Sequence, residues 1–170
     1  MKLVLFVLLL AAPLSAQSPP LSLAPACGPE SVSFKVKLDK SQHAPAPPEP
    51  GMARAYFMHD AGTYFSHPPG YPTAKIGMDG AWVGANHADS YFSVSIPPGE
   101  HHVCADLQSS LVAQRVELLH FTAEAGKVYY FRTRLLMSRG LEILQLEPLD
   151  SDQGNYLMHL FPRSISQPKK

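Results

Sequence analysis

The sequence lacks an excess of charge of either sign. Its 14 Lys and Arg residues balance 14 Asp and Glu residues, and the terminal pair Lys169 and Lys170 is its one run of like charge. Proteins that hold nucleic acid or an acidic membrane surface by charge carry basic clusters. The composition therefore predicts no nucleic-acid partner and no acidic membrane surface as a partner.

The sequence also lacks an apolar run long enough to cross a membrane. Its longest apolar stretch, residues 3–12, holds about ten residues and ends at Pro13, whereas a spanning helix needs about 20. A charged start, a short apolar stretch and a small residue at Ala16 are typical of a cleavable secretory signal. We therefore predict a signal peptide over residues 1–16 and a periplasmic or secreted protein without a membrane span. An uncleaved anchor is the alternative.

Cysteine is scarce, with one residue at position 27 and one at position 104. Because an even number of cysteines in an oxidising compartment favours pairing, we predict a disulfide between Cys27 and Cys104. Two unpaired thiols are one alternative. A lipid on Cys27 is another, which the preceding Pro25 disfavours.

Sequence motifs of catalysis are missing. The chain has no G-x-S-x-G, H-E-x-x-H or C-x-x-C motif and no glycine-rich phosphate loop. Among the eight histidines, His87, His101, His102 and His120 are the candidates for a metal, but neighbours on a strand such as His101 and His102 point to opposite faces. We predict no catalytic residue, no metal and no cofactor. An active site assembled only in three dimensions is the alternative.

Alternating apolar and polar residues are abundant, and they predict strands. Phe34, Val36 and Leu38 alternate with polar residues, and Asp79-Gly80 supplies the turn of a hairpin. The predicted strands lie at residues 33–38, 52–58, 75–78, 81–85, 90–96, 101–107, 116–122, 128–136 and 141–146. Short strands at this spacing predict an all-β fold, an antiparallel β-sandwich that is immunoglobulin-like or related.

A short helix is predicted after the last of these strands, with Asp150 or Ser151 as its cap and Pro162 as its stop. The remaining boundaries follow from composition. Residues 17–26, rich in proline and small residues, are predicted to be a disordered lead-in, residues 27–161 a single sandwich domain and residues 162–170 a flexible tail.

Strand alternation also gives the disulfide a position. Val103, Ala105 and Leu107 share one face of their strand, and Cys104 lies on the other. If the Val103 face is the core, the bridge fastens the amino-terminal segment to the outer side of a sheet.

Aromatic residues near the hairpin are the candidates for recognition. Trp82, Asn86 and Tyr91 are close in sequence, and exposed aromatics anchor interfaces and sugars. The competing interpretation, which we favour for the single tryptophan of a β protein, is that Trp82 and Phe92 fill the core.

Several segments resemble the bacterial domain of unknown function 2846, and the resemblance covers about residues 26–161. The matching segments are Ala26-Cys27-Gly28-Pro29, the hairpin residues 76–86, Ser90-Tyr91-Phe92, residues 98–105 and residues 123–131. The resemblance implies an extracytoplasmic bacterial protein, often a lipoprotein or periplasmic, with no established activity and no catalytic residues to carry over.

Together these patterns predict an exported cell-envelope module with a binding or structural role. Its expected partner is an envelope protein or a glycan, of unknown identity. The alternative function is that of a hydrolase or metal-dependent enzyme whose site is dispersed in the sequence.

Overall fold

The structure is a computed structural model of the chain. It describes residues 27–41, 44–62, 72–108, 116–138 and 141–169. The predicted signal peptide and lead-in lie outside the described residues. Within them, no helix is long and apolar enough to cross a membrane.

The described residues form ten strands and one helix. In chain order these are β1 (Phe34–Asp39), β2 (Ala53–His59), β3 (Thr73–Met78), β4 (Ala81–Asn86), β5 (Ser90–Ile96), β6 (Gly99–Gln108), β7 (Glu117–Ala123), β8 (Val128–Ser138), β9 (Leu141–Leu149), α1 (Ser151–Leu160) and β10 (Arg163–Pro168). Strands β1 to β9 overlap the nine predicted strands, with ends that differ by up to three residues. Asp150 caps α1 by accepting a hydrogen bond from the Gln153 amide.

The strands form two sheets. The six-stranded sheet has the order β1-β10-β5-β2-β8-β9, and the four-stranded sheet has the order β4-β3-β6-β7. The prediction of an all-β, sandwich-like fold with a short C-terminal helix is confirmed. The six-stranded sheet is not purely antiparallel, however, because β2 pairs with β8 and β10 pairs with β5 in parallel. Alternation could not show this, since side chains alternate with period two in either direction.

The predicted hairpin is confirmed as β3 and β4. Asp79 and Gly80 form its tip with φ angles of 51° and 84°. Asp79 tolerates this left-handed conformation because its carboxylate accepts the His102 amide at 2.9 Å, and glycine adopts it without steric cost.

The main core lies between the two sheets. Phe57 on β2 stacks on Phe131 on β8, with ring centroids 5.2 Å apart, and both face Ile76 and Val103 of the other sheet. Each large side chain removed from water in this way contributes about 2 kcal/mol. Alternation placed Val103, Ala105 and Leu107 in this core, and all three lie there.

The segment after α1 corrects a prediction. Residues 162–170 were expected to be a flexible tail, but Arg163–Pro168 form β10, which pairs antiparallel with β1 over its whole length. Because β10 lies between the edge strand β1 and β5, this late segment joins β1 to the rest of the sheet. Pairing between residues so distant in sequence leaves no local signal.

Candidate functional site

Residues 27–34, which we call the strap, lie on the outer face of the four-stranded sheet. Cys27 is bonded to Cys104 of β6, with Cα atoms 5.4 Å apart. Cys104 is fully buried on the face opposite Val103, against Trp82 and Val116. The predicted disulfide is therefore present, and it fastens the amino-terminal segment to the outer side of a sheet as the alternation predicted.

Side chains of the sheet bind the strap backbone along its length. Trp82 Nε1 donates to the Pro29 carbonyl at 2.8 Å and Lys75 Nζ donates to the Val32 carbonyl at 3.4 Å. The Gln108 side chain donates to the Phe34 carbonyl at 2.8 Å and accepts a hydrogen bond from the Phe34 amide at 2.5 Å. Polar side chains of the outer face are thus hydrogen-bonded within the protein. The strap is therefore a fixed cover.

A buried ion pair lies beneath the strap. Lys75 Nζ is 3.1 Å from Asp106 Oδ2, both side chains are nearly inaccessible, and the ammonium group lies 4.1 Å from the centre of the Trp82 ring. Among the described residues, Asp106 Oδ1 has no hydrogen-bond partner. A pair this deeply buried costs desolvation energy, so it depends on both partners being present.

The residues predicted as a recognition surface do not form one. Trp82 is half-buried under the strap, Asn86 is 0% exposed in the interior, and Tyr91 is 4% exposed beneath α1 on the far side of the molecule. Asn86 Nδ2 donates to the Phe57 carbonyl at 2.9 Å, which joins the two sheets. The prediction that these three residues share a surface is therefore wrong.

The competing interpretation of Trp82 as a core residue is also wrong, although Phe92 does lie in the core. A β-bulge between Ile76 and Gly77 shifts the pairing of β3 with β4 and sets Trp82 opposite Gly77. Because Gly77 faces outward, Trp82 does too. A one-residue shift of this kind has no signature in hydrophobic alternation.

His101 is held between two acceptors. Its Nδ1 lies 2.6 Å from the Asp79 carboxylate and its Nε2 lies 2.8 Å from the Pro97 carbonyl. Burial lowers the pKa of His101, but these two hydrogen bonds and the Asp79 charge outweigh it, so the pKa is raised. Since both neighbours are acceptors, only the doubly protonated ring satisfies both. His101 thus joins the β3–β4 hairpin to the β5–β6 turn.

The pKa of His59 is shifted in the opposite direction from that of His101. His59 is fully buried at the end of β2, and its Nδ1 lies 3.1 Å from the Thr133 hydroxyl. Burial lowers the pKa of His59 to about 4, against smaller raising effects of the Thr133 backbone and the nearby acids. The ring is therefore neutral near pH 7, and it belongs to the interior packing.

The histidines considered as metal ligands are dispersed. His102 and His120 face each other across β6 and β7 with ring centroids 6.4 Å apart, and His87 lies at the other end of the sandwich beside Thr73. Within the part of the chain that the structure describes, no three His, Cys, Asp or Glu residues are placed to hold one ion.

An open groove, which we call the α1 groove, has a volume of about 840 Å³ between α1 and the chain that follows β1. It is lined by Lys40, Ser41, Ala44, Pro45, Asn155, Met158, His159, Leu160, Phe161 and Pro162. The floor is apolar, and the lining carries a lysine and a histidine but no carboxylate. Sequence reasoning missed this groove because its walls come from opposite ends of the chain.

Tyrosines under α1 hold both walls of the α1 groove. The Tyr130 hydroxyl donates to Asn155 Oδ1 at 2.9 Å, and the Tyr56 hydroxyl bonds both backbone groups of Ala46. Burial raises the pKa of Tyr56 and of Tyr130, so both phenols stay neutral near pH 7. The groove is therefore supported from below by fixed hydrogen bonds.

Comparisons with known proteins return no match: no family model fits the chain, and no curated protein and no solved structure matches it. A function must therefore be argued from the residues and their geometry.

Proposed function

We propose that the chain is an exported, non-catalytic module of the cell envelope that binds its ligand at the α1 groove. One observation carries the proposal. His59, Asn86 and His101 bind other parts of the fold in the interior, whereas the α1 groove is concave, has an apolar floor and carries the exposed side chains of Lys40 and His159. Apolar concave surfaces with a few polar groups are typical of ligand sites.

Export is supported by the disulfide and by the signal-like start of the sequence. The resemblance to the bacterial domain of unknown function 2846 supports an extracytoplasmic location as well, and we propose membership of that family. An enzyme with a dispersed site would need a nucleophile or metal beside a base. No described cluster favours that second function.

Mass spectrometry of the protein purified from a bacterial host without reductant tests export. We expect an amino terminus at Gln17, recovery from the periplasm or the medium, and a peptide that links Cys27 to Cys104. A cytoplasmic protein with two free thiols would contradict the proposal, and so would a lipid on Cys27.

Binding of the anionic apolar dye anilinonaphthalene sulfonate tests the groove. We expect the dye to fluoresce with the wild-type protein and to lose most of this signal in Ala44→Trp, which places a large ring in the groove. Ala125→Trp is the matched control, because Ala125 is exposed in the turn before β8. Equal dye binding by the two variants would show that the groove is not the site.

A further inference from the structure

A ribbon of two strands, β1 and β10, presents one face to solvent beside the α1 groove. Ser164 is buried and Ser166 Oγ accepts a hydrogen bond from the Ala85 amide of the other sheet, so the even-numbered residues of β10 point inward. The odd-numbered residues of both strands therefore point outward. On β1 these are Lys35, Lys37 and Asp39, and on β10 they are Arg163, Ile165 and Gln167, followed by Lys169.

The charge on this ribbon is strongly one-sided. Lys35, Lys37, Arg163 and Lys169 stand against one carboxylate, Asp39, which accepts a hydrogen bond from the Ser41 amide. Among the described residues, none of these four cations takes part in an ion pair. We call Lys35, Lys37, Arg163, Ile165 and Lys169 the basic face.

Other cations on the same sheet form ion pairs with carboxylates. Arg132 is paired with Asp60 at 3.3 Å and with Glu147 at 2.6 Å, and Arg134 is 3.4 Å from Glu147. The β8–β9 side of the outer surface is therefore internally neutralised. The basic face leaves its charge available to a partner, although the molecule as a whole is neutral.

Exposed apolar side chains lie with these charges. Ile165 is 44% exposed in the middle of the basic face, and Leu160 and Tyr156, one turn apart on α1, are 54% and 64% exposed. Lys40, which follows β1, lines the α1 groove together with Leu160. Since Lys40 directly follows β1 and Pro162 directly precedes β10, the α1 groove adjoins one end of the basic face.

We infer that the basic face and the adjoining α1 groove dock on the surface of a lipid bilayer that carries anionic headgroups. Peripheral binding of this kind combines attraction of Lys and Arg to the headgroups with burial of exposed apolar side chains at the interface. The inference names the partner of the module proposed above and rests on that proposal.

The apolar component separates a bilayer from other anionic partners. A charged polysaccharide or a nucleic acid would engage the four cations but would gain little from the exposed aliphatic side chains of Ile165 and Leu160. Stacking on nucleic-acid bases would require exposed aromatic rings between the basic residues, and the basic face has none. A bilayer uses both kinds of side chain.

Vesicle co-sedimentation of the exported, disulfide-bonded protein tests the inference. The probes are vesicles of phosphatidylcholine alone and vesicles of equal parts phosphatidylcholine and phosphatidylglycerol. We expect binding to the anionic vesicles only, and loss of most binding at about 1 M salt, where the Debye length falls to about 3 Å.

Charge reversals locate the surface. Lys37→Glu should weaken binding to the anionic vesicles roughly tenfold, because each lysine near an anionic surface contributes several-fold. Lys127→Glu changes the net charge equally, but on an exposed turn outside the basic face, and should bind like the wild type. Lys37→Arg should keep full binding. Leu160→Ser should weaken binding without changing its salt dependence.

Three results would overturn the inference: equal binding to both vesicle types, equal loss in Lys37→Glu and Lys127→Glu, or no effect of Leu160→Ser together with Lys37-dependent binding to soluble dextran sulfate. The last result would assign the basic face to an anionic polymer. None of these results bears on the export measurement or on dye binding in the groove, so failure of the bilayer inference and failure of the proposed function are distinguishable.

Discussion

The outer face of the four-stranded sheet and the outer face of the six-stranded sheet are each covered by a segment that lies outside that sheet. On the four-stranded sheet the cover is the strap, an extended segment joined to β6 by a disulfide. On the six-stranded sheet it is α1, which packs Met158 against Tyr56, Tyr91 and Tyr130 without a covalent bond. The two covers hold by different physical means.

The difference follows from how much apolar surface each segment can bury. A helix turns a whole stripe of side chains toward the sheet, and α1 gains further contact because Gly154 lets it approach the Tyr130 ring closely. The strap buries only Cys27 and, at its last residue, Phe34, so its attachment depends on the disulfide and on hydrogen bonds from the sheet. The disulfide holds the strap on the four-stranded sheet, whereas the six-stranded sheet has an open groove beside α1.

Removal of the disulfide should have the largest effect on stability. Cys27→Ala/Cys104→Ala opens a bridge between residues 77 apart, and we expect a loss of about 4 kcal/mol in unfolding free energy. Chemical denaturation of this variant and of the reduced wild-type protein should give the same lowered midpoint. An unchanged midpoint would show that the strap holds without its bond and would remove the contrast with α1.

The buried ion pair under the strap comes next. Lys75→Met leaves Asp106 buried without a counter-charge and should cost about 3 kcal/mol. The double variant Lys75→Met/Asp106→Leu should recover most of that loss, because it removes both charges. If the double variant is as unstable as the single one, the pair itself stabilises the strapped face.

Acidification should destabilise the core between the two sheets. It should not change the difference between the strap and α1. The folded pKa of His59 is about 4 and its unfolded value is 6.5, so the unfolded chain binds the extra proton first. The contribution of neutral His59 to the free energy of unfolding is up to about 3 kcal/mol. It is fully present above pH 6.5 and is lost as the pH falls toward 4. The unfolding free energies of the wild type and of His59→Gln should be measured by denaturation from pH 7 to 4. We expect the difference between them to shrink on acidification, in oxidised and reduced protein alike. A constant difference contradicts this.

The smallest expected effect tests the close contact of α1. Ala is normally better than Gly inside a helix by up to about 1 kcal/mol, but a Cβ at position 154 would meet the Tyr130 ring. Gly154→Ala should therefore destabilise the protein by about 2 kcal/mol, in the range of overpacked cores. Gln153→Ala, at an exposed neighbouring position, should be neutral or slightly stabilising. A stabilised Gly154→Ala protein would mean that α1 is loosely attached.

Features that depend on local periodicity could be predicted from the sequence. The alternation of Val103, Ala105 and Leu107 gave both the core face of β6 and the outward side of Cys104, and Asp79-Gly80 gave the hairpin. These succeed because strand geometry sends successive side chains to opposite faces whatever the rest of the fold does.

Features that depend on distant contacts could not be predicted. The bulge that turns Trp82 outward is a matter of pairing register, and β10 gains its structure only from β1. The basic face was hidden for the same reason, because Lys37 and Ile165 become neighbours only through that pairing. A balanced net charge says nothing about such a local excess.

The single tryptophan of the chain allows the most direct test of the contrast between the two covers, because Trp82 lies under the strap and far from α1. Acrylamide quenching of its fluorescence should be weak in the oxidised protein and clearly stronger after reduction, while hydrogen exchange of α1 stays unchanged. Equal quenching before and after reduction would contradict the account. Reduction that releases the strap and also removes the hydrogen-exchange protection of α1 would contradict it as well.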